Sequence, residues 1–364
     1  MTLTMIAGPG CSDGGIVGTY DDYLTRLGRV LERDPGQWQA RVSEGLTLRY
    51  PDRRQRRLET EDTRLGVFDF LSLGDCRLLQ LVSERNSSLG KVMSATARYH
   101  YEWLLLNGIR VCLNNNNSPD TGTSPDTSED DLQAKLAAIG DIKQQEIYRY
   151  YWNATWGSEI FQTFFSLSHL PLGPDEVSGI QPDVTQSFFD YFQALPEPHK
   201  AGSVPVDGAD SIFGKSQAAE RHLQPLQYHY GGRLIRSLVT GTEAISEGTR
   251  MLEQAMEARP LCINEMPSRK AEILENVFAR FYVRSLQPYL SRLDREAALL
   301  LTVTHRYSPR QAPDAAPEVI RFYDTYLNLT EHDALSAMRR AVKQHALVWN
   351  RLLRSCGMKV GGNS

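Results

Sequence analysis

Near the C-terminus, Leu335, Met338, Val342, His345, Trp349, Leu352 and Cys356 recur at alternating spacings of three and four. That spacing places them on one stripe of an α-helix, the a/d seam along which helices pack. Thr330 with Asp333 resembles a capping box at its start, and Gly357 is placed to end it. A chain that must bury such a stripe needs other helices to bury it against.

The remainder supplies them. Tyr20, Tyr23, Leu24, Leu27, Val30 and Leu31 form one face of a helix over 20–31, with Thr19 as its expected cap. Residues 65–113 read as a helical hairpin, broken around Asn86–Gly90 and resuming at Ser94. Residues 131–168 read as helical and aromatic, from Tyr148 and Trp152 to Phe165, a pattern whose default use is core packing. Two helical segments are expected over 217–259, bent by Pro225 and the Gly231–Gly232 pair. A long helix over 269–304 should be kinked or divided by Pro288. Residues 41–63 read as a loop, and 170–216 as irregular with one short helix at Thr185–Ala194. No segment alternates convincingly enough for a sheet. The expected fold is all-α: one domain of packed, mostly antiparallel helices with long irregular loops, over residues 19–357. Within it the polar run 114–130 reads as a disordered loop. Residues 1–18 read as a lipoprotein signal remnant and tether, and 358–364 as a disordered tail.

With 364 residues, 41% of them hydrophobic, the chain can bury a core without help from a metal. Its formal net charge of -4 gives no basic field to gather nucleic acid, so no nucleic-acid partner is expected. No stretch approaches the roughly 20 apolar residues of a membrane helix. Any membrane contact is expected through an N-terminal anchor only.

Five cysteines are present. Cys11 follows a short apolar and small-residue run and precedes Ser12-Asp13-Gly14-Gly15, which resembles a lipoprotein cleavage site. In that reading Cys11 carries the lipid, and Ser12 favours the outer membrane. Gly8 stands where a lipobox usually has Leu, and no Lys or Arg precedes the apolar stretch. Cys76, Cys112, Cys262 and Cys356 fall at expected helix ends and suit two disulfides of an exported protein. Four cysteines allow three pairings. Hairpin geometry favours Cys76 with Cys112, and Cys262 with Cys356. Buried free thiols are the alternative.

Signs of chemistry are few. Gly208 to Ser216 resembles a phosphate loop, but five residues separate its glycines where four are needed. A flexible loop with Ser216 as a helix cap is the alternative. His222 and His229 would share a helix face, yet two ligands do not make a metal site. No metal or cofactor is expected. Glu265, Glu272 and Glu275 read as helix-surface carboxylates. The run Arg53, Arg54, Arg56 and Arg57 could touch anionic headgroups or phosphates, or lie on a solvated face offset by Glu59, Glu61 and Asp62. The polar cluster Glu84, Arg85, Asn86, Ser87 and Ser88 could converge on an anion, or simply cap the helices on either side.

The run Leu78–Met93, followed by Tyr101-Glu102 and Cys112, resembles the hallmark segment of the bacterial family catalogued as domain of unknown function 3080. Cys11 followed by Tyr20–Leu31, the Arg259-Pro260-Leu261-Cys262 turn and the Leu352–Cys356 end are similar to it as well. The likeness spans nearly the whole chain. It implies a Gram-negative envelope lipoprotein and no particular activity. The expectation is a lipid-anchored protein on the periplasmic side that binds or scaffolds an unidentified envelope component. An envelope hydrolase using Arg85–Ser88 and a cytosolic helical adaptor are the alternatives; the absence of a catalytic motif weighs against an enzyme.

Overall fold

The stripe near the C-terminus closes onto the helix Tyr230–Ala258, and these two helices form the spine of the molecule. The computed structural model describes residues 15–61, 78–116, 127–177, 184–203, 212–258 and 260–358. In chain order the helices are α1 (Ile16–Leu31), α2 (Trp38–Gly45), α3 (Arg53–Arg56), α4 (Leu78–Asn86), α5 (Ser88–Lys91) and α6 (Ala95–Asn116). Then come α7 (Thr127–Ala154), α8 (Glu159–Phe164), α9 (Val184–Ala194), α10 (Ile212–Glu220) and α11 (Tyr230–Ala258). The last are α12 (Arg269–Val277), α13 (Gln287–Arg306), α14 (Pro317–Tyr326) and α15 (Ala334–Ser355). Among the described residues there is no strand; the one β contact is an isolated bridge between Ile263 and Met266. The fold is all-α.

Against α11 pack α15, α1, α2 and α13, while α6 and α7 pair with each other at the other end. The main core runs from Tyr20 and Leu27 through Phe161, Phe188 and Leu238 to Leu352. A satellite core of Leu78, Leu81, Leu104, Ile109, Leu136 and Ile212 fills the α4–α6–α7–α10 end, and Trp103 touches both. On α15 the seam residues Leu335, Met338, His345, Trp349, Leu352 and Cys356 are buried, and Val342 is half-buried.

Several local expectations are corrected. Asp333, not Thr330, caps α15: its Oδ1 accepts from the Ser336 N–H at 2.8 Å. Gly357 does end the helix, with φ 68°, as Met358 N–H donates back to Leu353 O at 2.9 Å. Helix α1 starts at Ile16, so Thr19 lies inside it. The loop expected over 41–63 holds the end of α2 and all of α3. Ser216 sits within α10 and is not a cap; Gly214 and Lys215 share that helix and form no phosphate loop. Glu265 lies in a turn with φ 58° rather than on a helix. Helices α6 and α7 extend into the run 114–130, of which residues 117–126 lie outside the described residues.

The prolines interrupt the helical runs as expected, and the glycines serve close approach. A 3-10 segment, Arg221–Tyr228, accommodates Pro225, and α11 then runs unbroken from Tyr230. Gly231 and Gly232 are there for close approach: a Cβ on Gly232 would lie 2.0 Å from Ser166 O. Ahead of Pro288 the chain widens into a π-helix, Phe278–Leu286, with Gln287 N–H bonded to Tyr282 O. Proline lacks the N–H that an α-helix needs and its ring crowds the preceding turn, and the wider turn absorbs both.

Candidate anion-binding cleft

The short helix α3 is the starting point. Asp52 caps it, its Oδ1 accepting from Arg54 N–H at 2.8 Å and Gln55 N–H at 3.2 Å. Gln55 Oε1 accepts from Asp52 N–H in return, completing a capping box. Backbone contacts then pin this segment to the end of α7. Trp152 Nε1 donates to Arg56 O at 2.7 Å, and the Asn153 side chain brackets Leu58 through two hydrogen bonds of 2.8 and 2.9 Å.

This anchoring leaves Arg53, Arg54 and Arg57 exposed and turns Arg56 inward. Arg56 is only 4% exposed. Its Nε donates to Ser158 O at 3.2 Å, while its Nη1 is buried with no hydrogen-bond partner among the described residues. Burial pulls its pKa down, opposed by Tyr50 and Glu159. An orphaned buried donor costs about 1–3 kcal/mol, and more when charged.

Arg56 lines a cleft of about 880 Å³ between α3, the α4–α5 turn, the start of α6, the end of α7 and the start of α8. The cations on its wall are Arg53, Arg56, Arg57, Arg85, Lys91 and Arg98, against the carboxylates of Glu61 and Glu159. Among the described residues Arg53, Arg57 and Lys91 form no ion pair or side-chain hydrogen bond. Arg98 is partly neutralised: its Nη2 lies 2.7 Å from Glu102 Oε1. Behind it Glu102 Oε2 lies 3.1 Å from Lys143 Nζ, and Glu146 Oε1 accepts from Glu61 N–H at 2.5 Å. Neither Glu102 oxygen receives a well-aligned hydrogen bond among the described residues. Burial alone would lower the Lys143 pKa, but Glu102 and Tyr150 outweigh it and hold the ammonium charged. Arg98, Lys143, Glu102 and Glu146 balance one another, so the net charge of the cleft is that of the remaining wall: Arg53, Arg56, Arg57, Arg85 and Lys91 against Glu61 and Glu159.

The expected polar cluster forms the turn at the cleft's edge. Arg85 Nη1 donates to Gly90 O at 2.7 Å. Ser87 Oγ accepts from Gly90 N–H at 3.1 Å and donates to Glu84 O at 2.7 Å. Glu84 Oε1 accepts from Gln80; Asn86 and Ser88 are exposed. Of these five residues, Arg85 alone lines the cleft.

Residues 20–360 match the family described as a protein of unknown function (DUF3080). The chain belongs to this family. No curated protein and no solved structure matches it. In this DUF3080 protein Cys262 and Cys356 are joined by a disulfide, with Cα atoms 5.1 Å apart. Cys112 is disulfide-bonded too; Cys76, its expected partner, and Cys11 lie outside the described residues. No group of His, Cys, Asp and Glu among the described residues could hold a metal. His222 and His229 do not converge, since His229 stacks on His169 with ring centres 3.7 Å apart and His222 faces Asp190. A second cavity of about 370 Å³ is lined by Tyr151, Trp152, Phe192 and Tyr307. Its indole donors are already committed to Arg56 O and Tyr307 O, which leaves it the poorer candidate.

Sequence reading found the basic run and the polar turn but not their meeting. The recoverable signal was Asp52-Arg53-Arg54-Gln55, a capping-box pattern that marks α3 as a helix.

Proposed function

We propose that this DUF3080 protein is a cell-envelope binding component, anchored by a lipid on Cys11, that holds an anionic ligand in the arginine cleft. One observation carries the binding part: a nearly fully buried guanidinium, Arg56, with an orphaned Nη1 at a cleft whose other cations outnumber its carboxylates. A phosphate or carboxylate oxygen that reaches the Arg56 guanidinium supplies the missing acceptor, and charge-assisted bonds of this kind are the strong ones. The disulfide supports an oxidising compartment. The anchor is assigned to Cys11 on the pattern around it, on the outer-membrane side if Ser12 acts as a sorting residue; no helix among the described residues is long and apolar enough to cross a membrane. Palmitate labelling that is lost in Cys11→Ser is the expected result for the anchor, and an unlabelled full chain would refute it.

Titration calorimetry with inorganic phosphate and glycerol phosphate tests the cleft. Binding is expected to weaken roughly tenfold or more in Arg56→Gln, the worth of a charged hydrogen bond. Arg53→Gln/Arg57→Gln, on exposed positions, should weaken it less and flatten its salt dependence. Unchanged affinity in both variants would rule the cleft out. The hydrolase alternative draws little from Arg85–Ser88, because Arg85 and Ser87 are engaged in holding the turn. A nucleophile there would need a base beside it, and Ser87 meets only backbone groups.

A further inference from the structure

Helix α5 and the residue that ends it carry two large apolar side chains that the fold does not bury. Leu89 is 66% exposed and Val92 77%. The segment around them is otherwise tightly built. Gly90 is buried, and a Cβ there would lie 2.3 Å from the carbonyl oxygens of both Glu84 and Arg85. Arg85 and Ser87 close the turn onto Gly90 from both sides. Leu89 and Val92 are therefore held out by a rigid frame. Between them in sequence are Gly90 and Lys91, and both of these line the arginine cleft. An apolar tip beside a cationic cleft matches the two layers of a bilayer interface. Acyl chains take the apolar residues, and phosphates take the cations just above them.

We propose that the Leu89–Val92 tip inserts into a lipid surface and that the arginine cleft takes the phosphate headgroup of an anionic phospholipid. The inference rests on the anion-binding reading above and adds the source of the anion. The five wall cations other than Arg98 outnumber Glu61 and Glu159 and complement an anionic surface, and Leu89 and Val92 do not line the cleft, so the two contacts are separable. Each basic group near an anionic surface adds about fivefold to binding at low salt.

The test uses the full chain with Cys11→Ser, so that no acyl chain contributes, and co-sedimentation with phosphatidylglycerol-containing vesicles. Binding to these vesicles and not to pure phosphatidylcholine vesicles is expected, falling as salt rises. Leu89→Ser/Val92→Ser should bind vesicles roughly tenfold more weakly while its calorimetric affinity for glycerol phosphate stays unchanged. Both positions are exposed, so an unchanged melting temperature is expected as well. Two outcomes overturn the inference but leave the anion-binding reading intact. They are glycerol phosphate binding without vesicle binding, and vesicle binding that the double variant retains in full. If neither glycerol phosphate nor vesicles bind, both readings fall together.

Discussion

His345 is a polar side chain in the middle of an apolar seam, and it is tolerated because every polar atom of the ring is used. Thr249 Oγ1 donates to Ile245 O at 2.9 Å, so toward His345 Nδ1, also at 2.9 Å, it acts as acceptor. The neutral ring then leaves Nε2 free to accept from Tyr23 O–H at 2.7 Å, with Trp349 Nε1 donating nearby at 3.0 Å. Nothing there favours a second proton, and burial pushes the pKa from 6.5 down to about 3. The unfolded chain takes up that proton below about pH 6.5 and the folded one refuses it, so stability is full above that pH and falls on acidification toward pH 3. The slope approaches about 1.4 kcal/mol per pH unit. Glu247 acts in the same direction at lower pH. Burial alone would raise its pKa, but Arg250, the Gly36 N–H and Arg41 together hold it at about 2. Its contribution is present above the usual 4.5 and fades as pH drops toward 2. Urea unfolding at pH 7, 6 and 5 should show a steady loss in the wild type, and a flatter profile in His345→Gln. Wild-type stability that does not change between pH 6.5 and 5 would show that His345 is not buried neutral.

At the level of elements, what was legible in the sequence was what local periodicity encodes. Helix α15 was readable because its seam, its cap region and its terminating Gly357 lie within one short stretch. Helix α9 was placed within a residue of its bounds by its own apolar spacing. Pro288 was readable, because its effect is local: the helix expected over 269–304 is divided, with α12 ending at Val277, a π-helical stretch before the proline and α13 starting anew at Gln287. Elements whose shape depends on a distant neighbour were not readable. Gly231 and Gly232 look like a hinge in sequence because glycine lowers helix propensity. In the fold they let α11 approach Phe164 and Ser166, where a Cβ would clash, and the helix runs unbroken through them. The arginine cleft was hidden for the same reason. Its cations come from α3, the α4–α5 turn and α6, and long-range hydrogen bonds, among them those from Trp152 and Asn153, bring α3 to the others.

Across the whole molecule, the disulfide ties the start of the C-terminal third to its end. Cys262 and Cys356 are 94 residues apart, and the loop they close contains α12, the π-helix, α13, α14 and α15. Both sulfurs sit at helix ends: Cys356 caps α15 and is fully buried, and Cys262 opens the turn that leads into α12. That turn needs fixing, because Ile263 and Met266 are 73% and 67% exposed and contribute little burial of their own. Closing a loop near 100 residues is worth about 4.7 kcal/mol in the chain-entropy model. Set against a usual total of about 5–15 kcal/mol, this is a large share of the stability of the fold. Cys262→Ala/Cys356→Ala is therefore expected to lose about 2–5 kcal/mol of unfolding free energy, measured by urea denaturation under oxidising conditions so that the bridge at Cys112 is preserved. Wild-type protein in reducing buffer should lose at least as much, since both bridges then open. A double variant as stable as the wild type would mean that α11 and α15 hold the C-terminal third without covalent help, and the disulfide would then carry no argument for an oxidising compartment beyond its presence.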